Sequence, residues 1–286
     1  MDVPHILDTP FVNSVFHPSD FSTASEHAFA HALAIALIRK TSFTILHTGK
    51  SRQDWRKAPA VRATLERWGM LQPDSPQSAV FEQLAVRVNK IGLATDSPVE
   101  AILNYLDTHP TDLIVLATEG RSGLPAWLQP SLAERIAADS ATMTLFVPEN
   151  SRGFVSLRNG SITLKRILVP VDRAPGPLPA IEYSARIAGI LGSPIEVYLV
   201  HVGEAEPLHD SMLPEIPDLH WQQVNLQGNV VDELLKVAND RQVDLIAMTT
   251  AGQRGILDAL RGSVTQQMLR HSPCPLLAIP QSGPAR

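Results

Sequence analysis

The sequence DLIVLATEGRSG at residues 112–123 recurs as DLIAMTTAGQRG at residues 244–255, an offset of 132 positions (112 to 244). The same offset carries Ser131 onto Ser263 and Pro148 onto Pro280. In each copy an apolar run ends in a glycine-containing segment, which is typical of a buried parallel strand followed by a loop. A repeat of this kind decides the architecture, so the chain is interpreted as two versions of one unit.

The repeat extends upstream with a different offset. Residues 14–20, SVFHPSD, match residues 166–172, RILVPVD, with Asp20 falling on Asp172 (an offset of 152). The first copy is therefore about 20 residues longer, and the extra length falls between residues 50 and 77. It includes a charged, tryptophan-containing stretch near residues 54–71 that we predict to be helical.

Short apolar runs alternate with helical patterns in both copies, which predicts βαβ units and parallel sheets covered on both faces. We predict an α/β protein of two tandem, doubly wound, five-stranded Rossmann-like domains, residues 1–150 and 164–286. In the second copy the predicted strands are 166–171, 195–202, 221–226, 244–249 and 275–280, and the predicted helices are 178–191, 230–241 and 263–271.

The linker, residues 151–163, is predicted to form a β-hairpin. Apolar and polar residues alternate on both sides of Asn159-Gly160, a pair that favours a tight turn with positive φ. Because an isolated hairpin is marginal in water, we expect this one to pack between the domains or across an oligomer.

Composition excludes several classes of protein. The 286 residues exceed one typical domain, and no uncharged apolar run reaches the length of about 18 residues that a membrane span requires. A net charge of −5 without a basic cluster argues against nucleic acid as the principal partner. The N-terminal residues lack the pattern of a secretory signal, and the single Cys274 suits a reducing compartment, so we expect a cytoplasmic protein.

Ligands of doubly wound sheets bind outside the carboxyl ends of the strands, where the winding reverses. In the second copy the first strand ends at Asp172, whose carboxylate could accept hydrogen bonds from ribose hydroxyls or an adenine amine. The fourth strand leads through Gly252 to Gly262 and Ser263, which precede the last helix. A glycine-containing loop before a helix lets backbone N–H groups approach phosphate.

These residues resemble the universal stress protein family, in particular its tandem two-domain members, over nearly the whole chain. The resemblance rests on ILVPVD at 167–172, VHV at 200–202, DLIAM at 244–248, Gly252 with Gly262-Ser263-Val264, and PCPLL at 273–277. It implies ATP binding, with or without Mg²⁺. The residues it places around the nucleotide are Pro170, Val171, Asp172, Val202, Met248, Thr249, Gly252, Gly262, Ser263, Val264 and Thr265.

The two copies depart from the family pattern to different degrees. In the second copy only the first glycine of the phosphate signature is replaced, by Thr249, which adds bulk near the ligand. In the first copy the corresponding positions are Ala117 and Pro130, and proline has no N–H to offer. Glu119 and Glu134 would also oppose a phosphate there, so we predict a first domain that does not bind nucleotide.

Several residues have a structural alternative to a functional role. His27 and His31 could share a metal, but a solvated helix face is the favoured interpretation because no third ligand is evident. His47 and His201 end equivalent strands and are interpreted as structural. Asp20 is expected to bond only local turn N–H groups. Arg254 and Arg261 could each reach a phosphate or remain solvated.

The expected function is stress response or signalling through nucleotide occupancy, with at most slow ATP hydrolysis or autophosphorylation. Two alternatives remain open. One is a nucleotide-free interaction scaffold, and the other is an adenylating or nucleotidyl-transfer enzyme, whose SGGxDS, HxGH or KMSKS segments do not occur. The two copies are expected to pair within the chain and cover an edge strand of each sheet. Homodimerisation is compatible with the sequence but not specified by it.

Overall fold

The structure is a computed structural model that describes residues 12–49, 60–118, 135–137, 139–140, 142–149, 151–204, 213–250 and 264–281. Gly252, Gly262 and Ser263 therefore lie outside the described residues, as do the first-copy positions Glu119, Pro130 and Glu134 and the arginines 254 and 261.

The first half alternates strands and helices in the order that the sequence predicts. Its longest helix has Ser22 as its N-cap, with the hydroxyl accepting the Ser25 N–H, and ends at Lys40 in the left-handed region. The described elements are β1 (Ser14–Pro18), α1 (Thr23–Arg39), β2 (Ser42–Gly49), α2 (Val61–Arg67), α3 (Ala79–Leu84), β3 (Arg87–Ala94), α4 (Pro98–Thr108), β4 (Leu113–Thr118) and β5 (Met143–Pro148).

The second half repeats this order without the additional helices after its second strand, and every strand and helix predicted for it is present. The described elements are β6 (Arg166–Pro170), α5 (Leu178–Leu191), β7 (Ile195–Val202), β8 (Leu219–Leu226), α6 (Val230–Asp240), β9 (Leu245–Thr250), α7 (Val264–His271) and β10 (Leu276–Pro280).

All described strands belong to one ten-stranded sheet, in the order β3-β2-β1-β4-β5-β10-β9-β6-β7-β8. Within each half every pair is parallel and the strand order is 3-2-1-4-5, which confirms the doubly wound α/β class. The halves join where β5 and β10 pair antiparallel, with Leu276 opposite Phe146 and Ala278 opposite Thr144. Each half thus covers one edge strand of the other.

The two strands at the centre of each half are fastened by the aspartate that opens the repeated motif. Asp112 Oδ2 accepts the backbone N–H groups of Asn13 and Ser14, at 2.7 and 3.0 Å. Asp244 Oδ2 accepts those of Lys165 and Arg166 in the second half, at 2.9 and 3.0 Å. Equivalent carboxylates in the two halves therefore hold β1 beside β4 and β6 beside β9 at their amino ends.

The central strands are buried on both faces. Every residue of β5, β9 and β10 is buried, whereas the outer strands β3 and β8 mix exposed and partly buried positions. Alternate residues of each strand enter different apolar clusters: Leu245 and Ala247 join one face, Ile246 and Met248 the other. The buried residues of each strand consequently hold its carboxyl end in place, together with the side chains found there.

Residues 154–163 fold back on themselves, with an antiparallel bridge between Val155 and Ile162. The predicted positive φ is present in this turn, but the turn is less tight than predicted. The loop is wider: the Ser156 carbonyl accepts the N–H of Gly160 at 2.8 Å, and only Gly160 has positive φ (+69°). A four-residue loop ending in a left-handed glycine replaces the tight turn.

This linker contacts both halves. The indole N–H of Trp68, from the additional length of the first copy, donates to the Leu157 carbonyl at 3.0 Å. On the other side Arg152 donates to the carbonyl oxygens of Gln242 and Val243, at 2.5 and 3.1 Å. The linker therefore packs between the two halves, as its sequence predicts.

His31 connects α1 to the linker and is fully buried, so the predicted solvated helix face is wrong for this residue. Its Nε2 accepts the Phe154 N–H at 3.1 Å, and its Nδ1 lies 2.8 Å from the His27 carbonyl oxygen. These two bonds require a neutral ring protonated on Nδ1. Cys274 is also buried, at 1% exposure. Burial raises the pKa of its thiol to about 12.

We expect the free energy of unfolding to fall with acidity because of two histidines. Burial lowers the pKa of His17 and of His31 to about 4, from an ordinary value of 6.5. Between pH 6.5 and pH 4 the unfolded chain binds protons that the folded chain excludes, so stability is full above this window and is lost as pH falls through it. Each histidine accounts for about 3 kcal/mol across the window.

Denaturant unfolding at a series of pH values measures this effect. His31→Gln should reduce the number of protons taken up on unfolding near pH 5 by about one. An unchanged pH slope in that variant would mean that His31 is not buried as a neutral ring.

A second prediction compares two glycines. Gly160→Ala should destabilise the protein by about 2–3 kcal/mol, because an added Cβ would lie 2.4 Å from the Trp68 ring and φ is positive. Gly192→Ala has a similar φ of +57° but no atom within 4 Å of its Cβ, so it should cost only about 1 kcal/mol. Equal losses in thermal or denaturant melts would contradict the packing of the linker against Trp68.

Candidate functional site

A crevice of about 260 Å³ opens at the carboxyl ends of β6 and β9. These two strands pair at only two positions, Ile167 with Leu245 and Leu168 with Ile246, and then separate. The crevice lies where they separate, at the point of the sheet where the winding reverses. Its lining residues are Pro170, Val171, Asp172, Ala174, Pro175, Val200, Val202, Val230, Leu234, Met248, Thr249, Thr250, Val264 and Thr265.

The crevice brings together residues that the sequence places far apart. All the predicted site residues within the described part of the chain line it: Pro170, Val171, Asp172, Val202, Met248, Thr249, Val264 and Thr265. The other three, Gly252, Gly262 and Ser263, fall outside the described residues. The part of these residues in binding stays a prediction.

Sequence reasoning missed several lining residues. Val200 could have been found from Val202, because alternate residues of a strand face the same side. Val230 and Leu234 lie four apart at the start of α6, so they share a helix face, but nothing in the local sequence tells that this face meets the crevice. Thr250 and the loop residues Ala174 and Pro175 carry no comparable signal.

The walls are mainly apolar, with few polar groups. Valine, leucine, methionine and proline side chains from β6, β7, α6 and β9 form most of the surface. Asp172 is exposed, and its Oδ1 accepts the backbone N–H of Arg173 at 2.7 Å. Among the described residues its Oδ2 accepts no hydrogen bond. Apolar walls with a small number of polar groups are the usual composition of a small-molecule site.

Equivalent histidines hold the loops after the first strand of each half. His201 Nδ1 lies 3.0 Å from the Val171 carbonyl oxygen, and His47 Nδ1 lies 2.7 Å from the Ser19 carbonyl oxygen, the matching position. Their predicted structural role is supported by these contacts. Each ring positions a backbone segment at the edge of the sheet.

Thr249 stands at the position where the resemblance to the family predicts a glycine. Its hydroxyl differs from that of the neighbouring Thr250 in its hydrogen bonding. The residue is 7% exposed, and among the described residues its Oγ1 has no hydrogen-bond partner although it is closed to solvent. The neighbouring Thr250 is equally buried, but its hydroxyl donates to the Ile279 carbonyl at 3.3 Å. A buried polar atom without a partner is costly and calls for an explanation.

The first half has a different arrangement at the same place. Asp20 Oδ1 accepts both the backbone N–H of Ser22, at 2.9 Å, and its hydroxyl, at 2.6 Å. The predicted local role of Asp20 is therefore confirmed. Phe21, in the left-handed region at φ 65°, stacks on His47 with the ring centroids 4.0 Å apart. The described side chains at this place in the first half thus bond to or stack on one another.

A metal site finds no support in the part of the chain that the structure describes. No three His, Cys, Asp or Glu residues converge there in a way that could hold an ion. His31 uses both ring nitrogens within the fold, so it cannot share a metal with His27 without breaking those bonds.

No helix in the described ranges is long and apolar enough to cross a membrane.

The sheet and its crevice define a doubly wound α/β protein with a ligand-type cleft at the switch point. The family model described as the universal stress protein family matches residues 14–148 and 204–280, one segment in each half. Since these segments cover well over half of the chain, it belongs to the universal stress protein family. The tandem arrangement that the sequence predicts agrees with the two matched segments.

Individual relatives agree with this assignment. A universal stress protein of Methanocaldococcus jannaschii is 26% identical over 148 residues, covering 43% of this chain and 86% of that protein. Another from Methanothermobacter thermautotrophicus is 36% identical over 61 residues, covering 21% of this chain and 41% of that protein. The crystal structure of a universal stress protein from Archaeoglobus fulgidus aligns with a TM-score of 0.60 at 16% identity, over 94% of this chain and 99% of that one. That last similarity concerns the fold.

The different surroundings of the two aspartates predict different effects on stability. Asp20→Ala should cost about 1–2 kcal/mol, because the N–H and the hydroxyl of the helix-capping Ser22 lose their acceptor. Asp172→Ala should change the free energy of unfolding by less than about 0.5 kcal/mol, since the residue is exposed and, among the described residues, bonds only its neighbour. Urea melts of the two variants test the contrast, and a larger loss for Asp172→Ala would contradict it.

Proposed function

We propose that this chain binds one molecule of ATP, in the crevice of its second half. The observation that carries the proposal is the convergence of residues 170–172, 202, 248–249 and 264–265 on one cleft. These positions come from four separate regions of the sequence. All of them belong to the set that the resemblance to the universal stress protein family places around the nucleotide.

The composition of the crevice suits the nucleoside end of ATP. Val200, Val202, Leu234 and Met248 supply apolar surface for a flat base. The free oxygen of Asp172 is available to accept a ribose hydroxyl or the adenine amine. The volume of about 260 Å³ lies near the lower end of small-ligand pockets, as expected if the described residues hold only part of the ligand.

The phosphates are assigned to the segment between β9 and α7. Backbone N–H groups at Gly252 and Gly262, the Ser263 hydroxyl, and the start of the helix that begins at Val264 would hold them. Mg²⁺ would arrive with the phosphates, since no acidic cluster within the described residues is built to hold it alone.

The first half is proposed to bind no nucleotide. Asp20 is committed to the start of α1, and Phe21 covers His47. The sequence adds Pro130 in place of a signature glycine and the carboxylates of Glu119 and Glu134. Its role would be to pair with the second half as a pseudo-dimer through β5 and β10.

In the cell the protein would act in stress response or signalling in the cytoplasm. Occupancy by ATP would bias its conformation or its contacts with partners, and any hydrolysis or autophosphorylation would be slow. His201 is not placed as a general base, since both of its ring nitrogens lie within hydrogen-bonding distance of backbone carbonyl oxygens.

Isothermal titration calorimetry with ATP tests the proposal. The wild-type chain should bind one equivalent, and Asp172→Ala should weaken binding about tenfold by removing a hydrogen bond to a charged acceptor. Gly262→Asp should abolish it, because a carboxylate would oppose the phosphates. Asp20→Ala serves as the matched control and should leave affinity unchanged. Two equivalents of ATP, or binding undiminished in Gly262→Asp, would overturn the assignment.

A nucleotide-free scaffold is the second candidate, and Thr249 is the observation that favours it. A β-branched residue stands where the resemblance to the family predicts a glycine, which adds bulk and removes the conformational freedom of glycine at this strand end. Acid extraction of freshly purified protein distinguishes the candidates. Recovery of adenine nucleotide supports binding, whereas no nucleotide together with no calorimetric signal supports the scaffold.

A further inference from the structure

We propose that the groove between α1 and α5, at the junction of the two halves, is a docking site for residues 1–11 of this chain. An aliphatic side chain of the Ile6-Leu7 pair would fill the cavity in the groove, and the Asp8 carboxylate would lie beside Arg39. The docked segment would contact one helix of each half and so hold the halves together. The proposal is independent of nucleotide binding.

The groove exists because the two helices stand far apart on one face of the sheet. Both bury residues in the same apolar cluster, but α1 packs mainly on β4 and α5 mainly on β9, with β5 and β10 between them. Three strand spacings place the helices roughly 14 Å apart, whereas directly packed helices stand about 8–10 Å apart. The antiparallel junction therefore leaves a gap above β5 and β10 that neither helix fills.

The walls of the groove are equivalent positions of the two halves. Each residue that α1 contributes has its counterpart in α5 at an offset of 152 positions (35 to 187), the offset that relates β1 to β6. The residues are Ile35, Ile38 and Arg39 in α1 and Ile187, Ile190 and Leu191 in α5. Among the described lining residues Arg39 carries the sole charge, and Ile38 is exposed. An exposed apolar side chain beside an apolar cavity is typical of a surface that another segment covers.

The size of the cavity favours a single aliphatic side chain as its occupant. Its volume is about 90 Å³, whereas an apolar cavity that accepts benzene measures about 150 Å³. A phenylalanine ring, or a row of side chains from a partner helix, therefore exceeds the space. One leucine or isoleucine side chain fits it.

Residues 1–11 are attached at the edge of this groove. Val12, the residue that follows them, lines the cavity itself, and Arg39 Nε donates to its carbonyl oxygen at 3.5 Å. Leu7 precedes Val12 by five positions (7 to 12), which span up to about 17 Å when extended. The Ile6-Leu7 pair can therefore reach any part of the groove.

The chemistry of the segment matches that of the groove. Ile6 and Leu7 are followed directly by Asp8, and residues 1–11 contain no Lys or Arg. A cation in the last turn of a helix is favourable by itself, and Arg39 at the end of α1 also attracts an acidic segment. Attachment to Val12 gives the segment an effective concentration in roughly the millimolar range. One side chain and one ion pair then suffice for docking, whereas a separate partner with so small an anchor would bind weakly.

Disulfide formation in the full chain tests the contact. Leu7→Cys combined with Ile38→Cys should form an intramolecular disulfide under mild oxidation, seen by intact-mass spectrometry as two thiols that no longer alkylate. Cys274 does not compete, because it is buried and burial raises the pKa of its thiol to about 12. The matched control is Leu7→Cys with Phe81→Cys, since Phe81 is also exposed but lies beside β3, on the other side of α1. Its disulfide should form at least about tenfold more slowly. Equal rates for the two pairs, or no bond to Ile38→Cys, would overturn the proposal.

The same reaction measures the part played by charge. Adding Asp8→Asn to the Leu7→Cys, Ile38→Cys chain should slow disulfide formation about two- to threefold, because the attraction to Arg39 is lost. Asp2→Asn should leave the rate unchanged, and about 1 M salt should remove the difference between the two. Equal slowing by both substitutions, or none by Asp8→Asn, would overturn the pairing of Asp8 with Arg39.

Thermal stability gives a readout without cysteines. Ile6→Ala together with Leu7→Ala should lower the melting temperature by roughly 2–5 °C, because the cavity loses its occupant. Val3→Ala, in the same segment, should melt as wild type does. An unchanged melting temperature for the double variant, or an equal fall for Val3→Ala, would overturn the proposal.

Two further outcomes would name a different occupant of the groove. A disulfide that joins two chains through Ile38→Cys would show that a second copy covers it. An apolar molecule bound to the wild-type chain in native mass spectrometry, and lost in Ile38→Trp, would show a ligand there. Either result would overturn the proposal, and neither bears on ATP binding in the second half.

Discussion

In each half, one aspartate accepts hydrogen bonds from the start of the neighbouring strand. These bonds set the strand geometry on which the crevice depends. Asp112 holds the start of β1 beside β4, and Asp244 holds the start of β6 beside β9. Because the strands are fastened at their amino ends and pair at only two positions, the twist of the sheet separates them at the other end. The crevice is a consequence of this one-sided attachment, and the repeated sequence motif begins with the residue that makes it.

The same frame ends differently in the two halves, and side chains a few residues apart account for the difference. In the first half Asp20 turns back onto Ser22 and Phe21 lies on His47. In the second half Asp172 retains a free oxygen among the described contacts, and the cleft beside it stays open. The two halves thus share one frame and differ in the local hydrogen bonding at the ends of their first strands.

The extra length of the first copy has a structural use at the junction of the halves. Trp68 covers Gly160 and bonds the Leu157 carbonyl, while His31 accepts the N–H of Phe154. These contacts hold the linker against the first half, and the pairing of β5 with β10 joins the two halves directly. Because His31 is buried as a neutral ring at this junction, its protonation at low pH would destabilise the contact between α1 and the linker.

The sequence by itself determined the duplication, the parallel βαβ units, the helices of the second half and the strand ends at which the cleft lies, because a repeat, an apolar periodicity and a strand-end motif can each be recognised along the chain. It also identified Asp172, Val202 and Met248 as lining residues through resemblance to a family. Only the tertiary structure decided that Val230 and Leu234 form a wall of the crevice, that His31 is buried rather than solvated, and that the Thr249 hydroxyl has no partner among the described residues. Those outcomes depend on how helices dock and which distant groups come within hydrogen-bonding distance, and such contacts between separated segments leave no periodic trace in the sequence.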